Sequence, residues 1–218
     1  TTMASNGSFS AFEEGYPVWY FRGYQVDHLD EKGNPVFRDN DKNGVIDASD
    51  KAMIGKPMPD FTYGVTLTAN YKNFDLLVFG NGSVGNDVFM SYSYNHIFYP
   101  LKEIYDQRWT PDGSTNRKYA RPQLTNADKY GLSDAYIFDG SYFRIKQIQL
   151  GYTFPKKLIK HALLENVRVY ASLDNFFLFT KYPGLDPEVS STSTSGMGVD
   201  YGNYPTTKKV VFGLSVTF

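Results

Sequence analysis

The sequence contains no cysteine, which removes disulfide frameworks and thiolate metal sites. It has no apolar run near the roughly 20 residues that a membrane helix needs. No stretch of Lys or Arg exceeds two residues, and the net charge is -1. The chain therefore lacks the basic footprint of a nucleic-acid binder, and no nucleic-acid partner is expected. Histidine is scarce: His28, His96 and His161 stand far apart and share no ligand spacing. Gly80, Gly82 and Gly85 are not followed by the Lys-Ser/Thr pair of a phosphate loop, and they read as strand-end glycines. No nucleophile elbow is present, and Glu13-Glu14 read as turn charges. Neither an enzyme nor an organic cofactor is expected. Thr1 does not open a signal peptide, so the expectation is a mature, processed or partial chain.

Aromatic residues are abundant instead, at 17%, with 18 Tyr and 17 Phe. Tyr and Phe favour strands, where a flat side chain packs on a pleated surface. Abundant Tyr also suits a surface that is apolar on one side and wet on the other. The mean hydropathy of -0.41 is polar. That value does not exclude a membrane protein, because a transmembrane strand needs only about 10 alternating residues.

Period-two alternation marks the strands. In Lys209 to Phe218, the residues Val210, Phe212, Leu214, Val216 and Phe218 share one face; Val211, Gly213, Ser215 and Thr217 share the other. Phe61 to Tyr71 repeats the pattern, with Phe61, Tyr63, Val65, Leu67, Ala69 and Tyr71 on the apolar side. Val167, Val169, Ala171 and Leu173 oppose Arg168, Tyr170, Ser172 and Asp174. In Tyr142 to Phe154 the second half is clean, with Ile148, Leu150, Tyr152 and Phe154 aligned. The first half mixes Arg144 and Lys146 into the apolar parity, which predicts a bulge or an extra-membrane section. Val18 to Asp27 and Phe74 to Asn81 are weaker strand candidates.

Loop lengths sort into two classes. Lys72-Asn73 joins two strands tightly, and about eleven residues beginning Pro155-Lys156-Lys157 join two others. The connections spanning 28–60, 83–141 and 178–208 are far longer, and long alternates with short. An up-and-down antiparallel β-barrel of the outer membrane has this asymmetry, with short periplasmic turns and long extracellular loops. A soluble β-sandwich also alternates, with its apolar face in a shared core. The expected fold class is all-β, as a transmembrane β-barrel represented by about six strands. Six strands do not close a barrel, so further sequence or partner chains are expected.

Ordered stretches carry a family likeness. Asp39-Asn40-Asp41-Lys42-Asn43-Gly44-Val45-Ile46-Asp47 precedes Ile54-Gly55-Lys56-Pro57-Met58-Pro59-Asp60-Phe61. Tyr71-Lys72-Asn73-Phe74-Asp75-Leu76 and Arg108-Trp109-Thr110-Pro111 follow. Then come Asp139-Gly140-Ser141-Tyr142-Phe143-Arg144-Ile145-Lys146 and Leu150-Gly151-Tyr152-Thr153-Phe154-Pro155. Asp174-Asn175-Phe176-Phe177-Leu178-Phe179-Thr180-Lys181-Tyr182 and Gly184-Leu185-Asp186-Pro187-Glu188 complete the set, and the chain ends in Phe218. In this order they resemble the C-terminal region of SusC/RagA-type TonB-dependent outer-membrane transporters. The resemblance covers nearly all of the chain after about Gly15. It implies that 1–218 is the C-terminal part of a 22-stranded barrel, in the outer membrane as a multi-pass protein. The plug, the TonB contact and the earlier strands would lie upstream. It also implies import of oligosaccharides or peptides under a SusD-like surface lipoprotein, with a terminal aromatic read by the barrel-assembly machinery. The competing expectations are a secreted calcium-binding β-sandwich adhesin or carbohydrate-binding module, and a purely structural surface protein.

The acidic loop reads as a cation site on its own spacing. Asp39, Asp41, Asn43, Asp47 and Asp50 take side-chain ligand positions of a calcium loop, Val45 the carbonyl position and Gly44 the bend. Position twelve holds Asp where the pattern has Glu, and no helical pattern flanks the loop. The alternative is an Asx-rich turn held by its own hydrogen bonds. For substrate, Tyr92, Tyr94, Phe98, Tyr99 and Trp109 fall in the longest loop, where rings could stack on sugars. Asp106 or Arg108 could bond hydroxyls, and packing within the loop is the competing role.

Overall fold

The computed structural model describes residues 2–6, 9–91, 101–114, 118–122, 127–160, 164–188 and 196–218. In chain order its strands begin with β1 (Thr2–Asn6), β2 (Ser10–Glu13), β3 (Tyr20–Gly23), β4 (Val26–Leu29) and β5 (Pro35–Phe37). They continue with β6 (Ala52–Gly55), β7 (Phe61–Tyr71), β8 (Phe74–Val84), β9 (Asp87–Met90) and β10 (Ile137–Asp139). The last are β11 (Tyr142–Thr153), β12 (Asn166–Thr180), β13 (Val199–Asp200) and β14 (Lys209–Thr217). Helices are short: α1 (Lys102–Asp106), α2 (Ala127–Gly131) and α3 (Lys156–Ile159). None of the described helices is long and apolar enough to cross a membrane.

The chain divides into two compact units. One holds 61–84, 142–180 and 205–218, the long strands with their short turns. The other holds 1–60, 85–141 and 181–204, which are the long connections.

The strand unit is a single antiparallel sheet in the order β14-β12-β11-β8-β7. Leu67, Val78, Ile148, Leu173 and Val210 pair in one row across all five strands. Because partners in register share a face, the alternating apolar residues of every strand fall on the same side. The Lys72-Asn73 turn is tight, with Lys72 in the left-handed region at φ 55°. Phe61, Val84, Tyr142 and Thr180 lie together at the opposite end by register.

The irregularity expected near Arg144 and Lys146 is a bulge. Ile145 pairs with Gly80 and Gln147 with the adjacent Phe79, so Lys146 is an extra residue with respect to β8. Opposite it on β12, the register skips Asn175 and Phe176, and Asn175 adopts φ 59°. An extra residue shifts parity by one. Phe143 and Ile145 consequently share the face of Ile148 and Leu150, while Arg144 joins Gln147 and Gln149 on the other. The mixed parity of the sequence is thereby resolved.

The connection unit is built differently. It contains a four-stranded sheet β1-β2-β3-β6, a three-stranded sheet β10-β9-β13 and the hairpin β4-β5. Its core is Phe21, Phe89 and Val199, packed by Phe9, Ile54, Leu132, Tyr136 and Ile137. Val88, Met90 and Tyr182 form a second cluster. The candidate strand Val18 to Asp27 is corrected here. It divides into β3 and β4, and neither belongs to the large sheet, so that sheet has five strands where about six were expected. The break has a physical cause: Trp19 takes a left-handed φ of 52°, and the Tyr24 N–H leaves the ladder for the Leu132 carbonyl at 2.9 Å.

Candidate functional site

The acidic loop folds as a nest of side-chain turns. Asp39 accepts from the Asn43 and Gly44 N–H groups at 3.2 and 2.8 Å. Asp41 accepts from the Asn43 N–H and side-chain amide at 3.1 and 2.8 Å. Gly44 supplies the bend at φ 83°. Asp50 has 0% exposure. Its carboxylate accepts from the Asn40 and Asp47 N–H groups, both at 2.8 Å. The Asp47 side chain accepts from Ser49 N–H at 2.8 Å, closing a reciprocal cap on the short 3-10 turn Ala48–Asp50.

Carboxylate oxygens of Asp39, Asp41 and Asp50 lie within 4.8 Å of one another. Of the six sequence-predicted ligands, these three converge. Asn43 instead accepts from Val45 N–H at 2.7 Å, and Asp47 is occupied by its cap. Desolvation, with the neighbouring Asp39 and Asp50, pushes the Asp41 carboxyl up. The Asp47, Asn40 and Asp41 backbone amides hold Asp50 below the usual range. Three hard oxygen donors crowded together, one of them fixed and ionised, are the donor chemistry of a calcium or magnesium loop. Asn40 escaped the sequence reading; its side-chain amide also bonds the Asp50 carbonyl at 2.6 Å.

The proposed substrate residues fare unevenly. Tyr92, Tyr94, Phe98 and Tyr99 lie outside the described residues. Trp109 is half-buried, and its ring lies so close over Gly33 that a Cβ there would approach it to 2.4 Å. The Trp109 backbone N–H donates to the Tyr119 carbonyl at 2.7 Å. In this conformation Trp109 is a strut for the β4-β5 hairpin. The Arg108 guanidinium stacks on the Tyr105 ring at 3.8 Å, and Asp106 pairs with Lys102.

The strand unit presents two contrasting faces. One is apolar and open: Phe61 is 61% exposed, Leu214 66% and Phe212 80%. Rings gather at both ends of this face. Phe61, Tyr63, Phe143 and Phe179 form a chain with centroid spacings of 5.7, 5.8 and 6.3 Å. At the other end Phe74, Tyr152 and Phe154 follow at 4.8 and 5.2 Å. The second face is polar. Arg168 on β12 reaches across β11 to Asp75 on β8 with a two-pronged contact of 2.9 and 2.5 Å. Gly151 lies beneath that pair, where a Cβ would approach the Asp75 carboxylate to 2.4 Å. Gln147, Ser172 and Asp174 continue the polar face. A water-soluble sheet would cover its apolar side; among the described residues 27 large hydrophobics are exposed, and most of these lie on the five strands of this sheet.

No protein-family model matches the chain. Individual proteins do. TonB-dependent receptor SusC of Bacteroides thetaiotaomicron is 33% identical over 222 residues, which is 100% of this chain and 21% of that protein. Over its whole length the chain is homologous to part of this TonB-dependent receptor. TonB-dependent receptor P3 of Formosa agariphila is also 33% identical, over 204 residues, covering 86% of the chain and 19% of that receptor. The chain thus spans about a fifth of the length of these TonB-dependent receptors. The RagAB peptide importer in its open-open state matches in fold, with a TM-score of 0.76 at 24% identity. That match covers 100% of this chain and 24% of the importer chain. The closed-closed state gives a TM-score of 0.74.

Proposed function

We propose that the chain forms part of the wall and outer loops of an outer-membrane importer driven through TonB. The observation that carries this reading is the open apolar face bounded by aromatic rows. The ends of the 11-residue β7 are ten steps apart, and at about 3.4 Å per step with a tilt of about 40° they span a height of about 26 Å. Outer-membrane barrels have an apolar band of about 25 Å between aromatic girdles. Lipid tails would cover the apolar face, and the Asp75–Arg168 face would line the lumen. Five strands leave two open edges, so the remaining strands and a plug would come from other parts of the protein.

The cargo would be an oligosaccharide or a peptide, taken up beneath a SusD-like lipoprotein lid. The fold neighbour RagAB is named a peptide importer, and the oligosaccharide alternative comes from the sequence resemblance. The test is fractionation of the full-length protein with and without heating. A barrel sediments with the outer membrane and migrates faster unheated than boiled. A protein that stays monomeric in detergent-free buffer would favour a calcium-binding sandwich adhesin or carbohydrate-binding module.

We further propose that Asp39, Asp41 and Asp50 hold Ca2+, with the Val45 carbonyl, Asn43 and Asp47 completing the shell after small side-chain turns. The ion would stiffen an extracellular loop. Exposed Lys42 offers trypsin a cut within it. Calcium at a hundred times its Kd should slow that cut about 100-fold, because the opened loop is suppressed by that factor. Chelator should reverse the protection, and Asp39→Asn should abolish it. A cleavage rate indifferent to calcium would rule out an ion in this loop.

A further inference from the structure

The apolar face of the strand unit is not flat. An open cavity of about 250 Å³ is sunk into it near the short-turn end. Its walls include Phe74, Leu150, Tyr152 and Phe212, and its floor is Val169 and Ala171. The register explains the hollow. Ala171 on β12 stands between Leu150 on β11 and Phe212 on β14, and Val169 stands between Tyr152 and Leu214. The central strand carries the small side chains and its neighbours carry the large ones. Val167 extends the row toward the turn, paired with Val216. The flanking strands lie about 10 Å apart, which leaves room for one extended hydrocarbon chain between their side chains. The result is a trough along β12 that opens onto the turn between β11 and β12.

That turn is basic. Lys156, Lys157 and Lys160 are exposed, and none has a carboxylate partner among the described residues. Lys72 joins them from the β7-β8 turn at the same end, its ammonium over the Tyr71 ring at 5.3 Å. Acidic side chains are few there. Asp75 is committed to Arg168, which leaves the exposed Glu165. The order of these features along the strands selects the ligand. Leu150 lies three steps before Thr153, the end of β11, a distance of about 10 Å. The Phe74, Tyr152 and Phe154 rings occupy that interval, and the lysines follow beyond it. Hydrocarbon below the rings and cations above them match an amphiphile with an anionic head. A zwitterionic head would bring its own ammonium against the lysines. The short turns are periplasmic in the importer reading, so the amphiphile there is a glycerophospholipid of the inner leaflet.

We propose that this trough holds one acyl chain of an anionic glycerophospholipid, whose phosphate is met by Lys156, Lys157 and Lys160. The proposal rests on the membrane reading given above, and the experiment keeps the two apart. It is native mass spectrometry of the full-length protein, offered phosphatidylglycerol and phosphatidylethanolamine with identical chains at equal concentration. Phosphatidylglycerol should be retained about 5- to 30-fold over phosphatidylethanolamine, the effect of one or two lysines at the headgroup. Lys156→Gln, Lys157→Gln and Lys160→Gln together should bring that ratio to within about 2-fold of one. Ala171→Phe fills the trough with another apolar side chain. It should cut retention of both lipids about 10-fold, as expected for withdrawing roughly 50 Å² of apolar contact. Equal retention of the two lipids by the unaltered protein would overturn the proposal. So would a preference that survives loss of the lysines, or retention indifferent to Ala171→Phe. A dimer dispersed by Ala171→Phe would assign the trough to a second copy of the chain instead. Heat-modifiable migration is read in parallel on every variant. Where it persists, a failed lipid result strikes the site alone; its absence from the unaltered protein would strike the membrane reading and this site with it.

Discussion

Replacing Ile148 with Arg should cost the full-length protein about 2–4 kcal/mol and largely remove its folded form from the outer membrane. Ile148 lies in the central row with Leu67, Val78, Leu173 and Val210, midway between the two aromatic rows. A guanidinium there would sit where no water or counter-charge is within reach. The neighbouring change, Gln149→Arg, puts the same charge on the polar face, beside Ser172 in register. It should leave assembly within a few tenths of a kcal/mol of the unaltered protein. The readout is the heat-modifiable fraction in outer membranes. Equal damage from both variants would show that the two faces do not see different surroundings.

The second large effect belongs to Gly151. An alanine Cβ there would lie 2.4 and 2.6 Å from the Asp75 carboxylate oxygens and 2.5 Å from an Arg168 nitrogen. Backbone need not move, but the two-pronged pair must separate. Breaking a fully buried pair costs about 3–5 kcal/mol. These side chains retain 24% and 30% exposure, so solvent screening reduces the expected loss to about 2 kcal/mol. The cost should mostly vanish in an Asp75→Asn, Arg168→Gln background, since the substitution then displaces no ion pair. Denaturant unfolding of the three variants and the unaltered protein measures the coupling. A penalty that persists in full without the pair would place the role of Gly151 in the backbone instead.

The strand unit was legible in the sequence because its rule is local. With one face apolar and the other polar, period two suffices, and Phe61–Tyr71 came out with its bounds intact. The Lys146 bulge was visible as a parity conflict, although only the register shows which residue is extra. Arg168–Asp75 was not legible, because its partners lie on strands separated by a third. The connection unit resists the same reading for a related reason. Phe21, Phe89 and Val199 meet only after the chain has crossed the sheet several times, and their strands are too short for periodicity. Val18 to Asp27 looked like one strand because nothing local announces that Tyr24 will bond Leu132. Trp109 suffered similarly, since the ring is covered by Gly33, remote in sequence. The acidic loop is the intermediate case. Its ligands lie within one short segment, so the spacing could be read, but Asn43 and Asp47 turn to nearby amides.

Membrane insertion of this sheet turns on what touches its apolar face, and collision-based spin-label accessibility measures that contact directly. Single cysteines would be placed in turn from Val210 to Val216 in the full-length protein, reconstituted in lipid. Labels at Val210, Phe212, Leu214 and Val216 should favour oxygen over a water-soluble nickel chelate, and labels at Val211 and Ser215 should show the opposite preference. Low accessibility to both reagents at Phe212 and Leu214 would mean protein packs against them, and the barrel-wall assignment would be wrong.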